Sequence, residues 1–349
     1  MSRTGASFAV PFLLLLQAVA QAGSDNTADP LFASDDILEV RVVAPFDVIA
    51  QERPTDKDVP GKLYVAGEHG ETIAFDVGIR TRGNFRRRAD VCFFPPLRLN
   101  LKKSQVGNSL LDGQDKLKLV THCRPRSHLY EQAVLAEYLA YRILTLLTNH
   151  SFRVRLLNIN YANDEGDSGF HNFAFLIEHK DRVAKRIGIP VLSVSGTTVD
   201  KLEAAHANLT SVYQYLIGNT DFASTAGSQG AECCHNYTLF GSDDGAYYSI
   251  PYDFDMSGIV NAPYAAPNPT LRLESVRERL YRGFCANNAL LPDTLDRFRA
   301  KRDDIEALIR GQQGLSSSSR KSLLKYVDQF YRTITSERSV NRHIVTKCR

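Results

Sequence analysis

The chain has 349 residues, and its 42 Lys and Arg against 39 Asp and Glu leave a formal net charge of only +3. That balance implies neither nucleic acid nor an anionic membrane as a global partner. The length is enough to bury a sizeable core in one large domain or two lobes.

The opening "MSRTGASFAVPFLLLLQAVAQAGS" has a basic start at Arg3, an apolar run from Phe8 to Leu16 and Ala-x-Ala patterns between Ala18 and Ala22. Residues 1–22 therefore read as a secretory signal peptide, too short to be a stable span. No later segment approaches the roughly 20 apolar residues that a transmembrane helix needs. The expectation is an exported chain: periplasmic, cell-surface or extracellular. Its cysteines, Cys92, Cys123, Cys233, Cys234, Cys285 and Cys348, number six. An even number in an exported chain favours disulfides over metal thiolates, and no CxxC spacing argues for zinc. Cys92 is expected to pair with Cys123. The adjacent Cys233 and Cys234 are expected to bond elsewhere, because neighbouring cysteines rarely close on each other.

In chain order, "ILEVRVVA", "KLYVAGE", "ETIAFDVGIRTRG", "PPLRLNLKK" and "DKLKLVTHC" carry β-branched or alternating apolar residues between Gly, Pro and Asp. They predict a mostly antiparallel sheet. Ser127 opens a helix in which Val134, Leu135, Tyr138, Leu139, Ile143 and Leu146 recur at helical spacing. Two more strands are expected at "FRVRLLNINYA" and "FHNFAFLIEHK", around the turn-rich "NDEGDSG". Beyond Glu178 the pattern turns helical. A helix over Val199 to Ile217 stops at Gly218, a hairpin is read from "NYTLF" to "AYYSIPYDFD", and Leu271 to Tyr331 is expected to be mainly helical.

Asp253 and Asp255 end the apolar "SIPYDFD" run two positions apart, the spacing that puts both carboxylates on one side of an extended strand. Two like charges beside a core call for a cation. Asp221 in "GNTDFA", Asn236 before the hairpin and the Asp253 pair after it would bring three oxygen-donor groups to one end of the hairpin. Magnesium or manganese takes such donors, with nucleotide phosphates filling the remaining positions. In phosphoryl transfer one Asp orients the nucleophile while another Asp and an Asn hold the metal.

The ordered set "GNTDF…HNYTLF…IPYDFDMSG" resembles the catalytic half of the spore-coat CotH kinase family, and more distantly HipA-type kinases. "IRTRGNFRRR", "FPPLRLNL" and "FLIEHKDRVAKRIG" add to the resemblance, which covers about residues 75 to 260. It implies an α+β, two-lobed protein-kinase-like fold. An N-terminal nucleotide-binding lobe over 30–178 would carry an antiparallel sheet with one helix, and a C-terminal catalytic lobe over 179–349 would be mainly helical with a catalytic β-hairpin. It also implies ATP, Mg or Mn, and phosphoryl transfer to a protein hydroxyl, with nucleotidyl transfer possible on the same frame. Carried over by position, Asp221 is the catalytic-loop Asp, Asn236 and Asp253 are metal ligands, and Asp255 is a second carboxylate ligand. The chain departs from the family in one place: Asn236 stands fifteen residues after Asp221, where kinases use about five.

A kinase also needs a cation on the phosphates and a Glu to orient it. Lys118, nearer the helix than Lys116, is preferred, with Arg98 as its rival. Glu131 is assigned the inward helix face, because Glu137 lies six residues on and so about 240° round. Arg82, like Arg80, can point at phosphate beside the Gly83–Asn84 turn, whereas Arg86, Arg87 and Arg88 read as a solvated loop face. His171 and His235 read as structural or exposed. Two other readings stay open. One is a paired-carboxylate glycosidase using Asp221 and Asp253, which the absence of any Trp disfavours. The other is a kinase-like scaffold that binds a partner without turnover.

Overall fold

The computed structural model describes residues 28–67, 70–227, 232–243 and 245–349. The signal-peptide expectation lies outside these residues.

The N-terminal strands are where the alternation predicts them: β1 (Leu38–Val43), β2 (Val59–Ala66), β3 (Thr72–Thr81), β4 (Leu97–Leu101), β5 (Lys116–Val120), β6 (Val154–Ala162) and β7 (Phe170–Ile177). Two short helices, α1 (Phe46–Glu52) and α2 (Lys103–Val106), interrupt them, and α3 (His128–Leu147) joins β5 to β6. These strands do not form the N-terminal antiparallel sheet expected of a two-lobed kinase-like fold. They form a closed barrel in the order β1-β2-β3-β4-β5-β7-β6. One parallel pairing closes it, β1 against β6 in the register Leu38↔Leu157 to Val43↔Ala162, while the other neighbours run antiparallel. The expected fold class is thereby overturned. The reason lies in β6, which is buried along almost its whole length. A strand covered on both faces shows no alternation from which its partner could be inferred. Ile159 and Tyr161 join Val42, Leu63, Val77, Leu99 and Leu117 in the barrel interior.

On the outside of the barrel lies α3. It is buried nearly all round, from Gln132 to Leu144, as a helix with apolar residues on every face must be. One side packs on β7, with Tyr141 and Phe175 ring centroids 5.7 Å apart. The other receives the helical region: Tyr213 Oη donates to the Ala140 carbonyl at 2.7 Å, and Gln132 Nε2 to that of Gly314 at 2.9 Å. That region comprises α4 (Lys180–Ile187), α5 (Ala204–Ile217), α6 (Leu291–Ala300), α7 (Arg302–Gly311), α8 (Ser317–Thr335) and α9 (Glu337–His343). As expected, α5 stops at Gly218, whose φ of 64° is the left-handed C-cap geometry that glycine adopts without strain. The hairpin is also present, as β8 (Tyr237–Phe240) against β9 (Tyr248–Pro251). Residues 271–284, expected to be helical, are irregular.

The disulfides are Cys92–Cys123, Cys233–Cys234 and Cys285–Cys348. The first pairing is the expected one. The adjacent cysteines, expected to bond elsewhere, are joined to each other.

At the end of β7, Glu178 takes Arg186 Nε at 3.0 Å and Nη2 at 2.8 Å, and accepts the Arg153 N–H at 3.0 Å. Arg186 in turn donates to the carbonyls of Asn149 and Ser151, so this buried pair ties β7, α4 and the α3–β6 turn together. Removing one partner strands the other charge away from water. Arg186→Met is expected to destabilise the fold by about 3–5 kcal/mol, and Arg186→Met with Glu178→Leu by less than the single change. Urea unfolding of the two variants checks this; a double variant weaker than the single would count against it.

Candidate functional site

The β3–β4 loop, α3 and the chain leaving β9 converge against the outer face of the barrel. Alternation along β4 and β5 turns Leu97, Leu99, Leu117 and Leu119 inward, so Arg98 and Lys118, which are register partners, stand on the outer face. The Lys118 ammonium lies 4.8 Å from the centre of the Tyr252 ring. Burial, and then the nearby Arg82, push its pKa down to about 8, while Asp253 opposes the shift. Arg82 donates from Nε to the Leu97 carbonyl at 3.2 Å, and burial lowers its pKa against the pull of Asp253. Arg80, by contrast, is spent on Asp58 at 2.5 Å.

The β9 strand ends before the acidic pair. Asp253 sits at φ 64°, in the left-handed region that Asp tolerates better than most residues, and its N–H donates to Tyr141 Oη on α3 at 2.8 Å. The two carboxylates are therefore not strand neighbours on one face, as their spacing suggested. The chain turns between them, and Asp255 is buried.

Its counter-charge is Arg86. Arg86 is 8 % exposed, and its guanidinium stands 3.9 Å from Asp255 and 3.6 Å from Glu137, with Nη2 donating to the Thr121 carbonyl at 2.6 Å. Arg86 is thus an interior residue rather than part of a solvated face. Burial pushes the Asp255 carboxyl up to about 7, with the Asp253 charge adding to the rise and Arg86 opposing it. Glu137 is held well above the usual carboxylate range by burial first and then by Asp255. One guanidinium serves two buried acids, with a third carboxylate, Asp253, nearby.

Glu131 is not in this cluster. Its carboxylate accepts from Asn172 Nδ2 at 3.1 Å and the Phe173 N–H at 3.2 Å, which fastens the start of α3 to β7. The helix-face argument that selected it assumed one solvent-facing side, and α3 has none along its middle.

Asp221 forms the other side of the site. Asn236 Nδ2 donates to its carbonyl at 2.6 Å and to its carboxylate at 3.1 Å, and His235 Nε2 lies 2.9 Å from its Oδ1. That contact raises the His235 pKa. The fifteen-residue separation is bridged locally, because the Ala223 N–H donates to the His235 carbonyl at 3.0 Å. The charge of Asp221 also reaches Asp255 and contributes to its raised pKa. Among the described residues, no group of three or more His, Cys, Asp or Glu side chains is placed to hold a metal ion by itself.

The structure therefore brings together Arg82, Lys118, Asp253 and Asp255, sets Asp221 and Asn236 at their side with Arg98 on the adjoining strand, and leaves Glu131 out. Sequence reasoning missed Glu137, Arg86 and His235. A signal existed for Glu137, the sole acid between Ala133 and Leu147 in a stretch apolar on every face. Comparison with models of known protein families gave no match, and comparison with characterised proteins gave none either.

Asp255 makes stability depend on pH with a definite sign. Its folded pKa of about 7 lies above the ordinary 3.8. The contribution is therefore full below pH 3.8 and lost as pH rises through 7. Asp255→Asn is expected to match the parent at pH 4 and to exceed it at pH 8 by on the order of a few kcal/mol. Chemical denaturation at the two pH values measures this, and a variant less stable than the parent at pH 8 would contradict it.

Proposed function

We propose that this site binds the phosphates of a nucleotide together with a divalent cation and transfers a phosphoryl group to a protein hydroxyl, in an exported protein. The observation that carries the proposal is the juxtaposition of Lys118 and Arg82 with a cluster of carboxylates, Asp253, Asp255 and Glu137, that Arg86 compensates only in part. Such a cluster gains from an added positive charge, and its oxygen donors suit Mg or Mn. Asp253, with Asp255 and Asn236 beside it, would hold the ion. One or two carboxylates suffice when phosphate oxygens and water complete the octahedron, so the lack of a larger acidic cage is consistent with the proposal. The ion would neutralise charge on the phosphates as the bond to the leaving oxygen breaks.

The protein's own part is positioning. Lys118 and Arg82 offer cationic donors to the phosphates from a rigid barrel face. Asp221, held by Asn236 and His235, is the group to accept the proton of the attacking hydroxyl as its oxygen bonds to phosphorus. The disulfides suit an oxidising compartment. A second reading, phosphate binding without turnover, is favoured by Arg86, which already occupies the space between Glu137 and Asp255.

Calorimetric titration with a non-hydrolysable ATP analogue, with and without Mg or Mn, tests the binding. Asp253→Ala is expected to abolish the metal-dependent part, and Lys118→Met and Glu137→Gln to weaken binding, whereas Glu131→Gln leaves it unchanged. Transfer from γ-labelled ATP to the protein itself or to an acidic protein acceptor tests the chemistry, and Asp221→Asn should slow it roughly 10²-fold while sparing affinity. Full Mg-dependent binding by Asp253→Ala would sink the proposal. Tight binding with no transfer under any metal would favour the second reading.

A further inference from the structure

The large apolar side chains that lie exposed among the described residues are Val48, Phe85, Phe93 and Leu129, at 43, 39, 60 and 64 %. Three of these belong to two segments at the rim of the site: Phe85 and Phe93 to the β3–β4 loop, and Leu129 to the first turn of α3. The Cys92–Cys123 disulfide joins the loop to the end of β5, just ahead of α3. The loop is also clamped from below. Arg53 donates to the carbonyls of Arg87 at 2.7 Å and of Cys92 and Phe93 at 3.0 Å, and the Phe94 N–H donates to the Cys123 carbonyl at 2.8 Å. Phe85 and Phe93 therefore stand on a fixed platform, which lowers the ordering cost of binding.

A line of rings leads from that platform to the site. Phe85 lies 6.2 Å from Tyr264, Tyr264 lies 6.2 Å from Tyr130, and Arg124 stands 5.5 Å from the Tyr130 ring. Tyr264 is also the ring beneath Arg86, at 5.4 Å, the same guanidinium that touches Asp255 and Glu137. The rim carries an excess of positive charge. Arg124 and Arg126 are exposed and no acid occurs between Thr121 and Tyr130, while the exposed Arg88 and Asp90 of the loop pair with each other.

We propose that this rim docks the acceptor of the site, and that the acceptor is an extended acidic polypeptide carrying an aromatic or aliphatic side chain near the modified hydroxyl. The assignment rests on the phosphoryl-transfer reading for its purpose, but on the rim's own charge and apolar surface for its chemistry. Apolar anchors supply the affinity, and the arginines select for acidic sequence and speed the encounter.

The test needs no nucleotide. A fluorescein-labelled peptide rich in Glu and Asp, with one Phe and one Ser, is titrated with the full exported chain at low salt and followed by anisotropy, beside a peptide with Lys in place of each acid. The acidic peptide is expected to bind at least about tenfold more tightly than the basic one and to weaken with salt. Arg124→Gln with Arg126→Gln, and separately Phe93→Ser, should each weaken it about tenfold with unchanged melting temperature. Equal binding of the two peptides, or undiminished binding by both variants, would overturn the proposal. So would a wild-type dimer dissociated by Phe93→Ser, or binding to anionic vesicles but not to the acidic peptide, since the occupant would then be a second copy or a lipid surface. Peptide binding in a chain that takes up no ATP analogue would remove the phosphoryl-transfer reading and leave the docking surface standing, whereas nucleotide binding without peptide binding would do the reverse.

Discussion

A guanidinium sealed from water must be given its counter-charges by the protein, because an uncompensated buried charge costs several kcal/mol. Arg86 is in that position, and the segments that supply its partners are the ones that build the site. Glu137 comes from α3, Asp255 from the chain leaving β9, and the Thr121 carbonyl from the end of β5. The guanidinium thus pins the β3–β4 loop to the barrel, the central helix and the acidic segment. Burial, which the single charge of Arg86 opposes but does not cancel, leaves both acids with raised pKa values. Buried carboxyls in excess of their counter-charge are a costly arrangement for stability alone, whether they ionise or hold their protons, and a favourable one for receiving a cation, the exchange of stability for function seen at strained and charged sites.

The helix that bears Glu137 has a matching structural part. Because α3 packs against β7 on one side and the helical region on the other, its polar side chains have to be used internally. Tyr141 shows how. Its ring packs on Phe175 of the barrel and on Phe254, and its hydroxyl accepts the N–H of Asp253. The left-handed backbone of Asp253 is held by that bond, so the placement of the carboxylate is set by the same helix that sets Glu137. Barrel closure contributes rigidity on the opposite side. With no open edge between β1 and β6, the outer face presenting Arg98 and Lys118 is fixed by hydrogen bonding all round.

This construction separates two kinds of loop residue. In the β3–β4 loop the buried Arg86 faces the acids, while Phe85 and Phe93 stand exposed on a clamped backbone. Asp221, Asn236 and His235 form a second small unit held by local hydrogen bonds, with Asn236 buried and the Asp221 and His235 side chains partly exposed. A site that joins a buried electrostatic cluster to a partly exposed, hydrogen-bonded aspartate has one part suited to holding charge and another suited to exchanging protons with an incoming group.

The sequence by itself determined the features that depend on neighbours a few residues apart. Alternation marked the strands from β1 to β5, Ser127 marked the start of α3, and Gly218 marked the end of α5. The run before Asp253 announced the hairpin, and the strand register left Lys118 outward between Leu117 and Leu119. Tertiary structure decided what depends on pairing across the chain. The contact of β1 with β6 closes a barrel where the antiparallel sheet of a two-lobed fold was expected, and no local pattern encodes which strand a doubly buried one will meet. The same holds for α3: the periodicity located the helix, but only packing on two sides determined that Glu137 is drawn to the site while Glu131 binds β7. In "RRR" the three arginines are chemically identical, and only the path of the loop selects Arg86 for burial and leaves Arg88 in water.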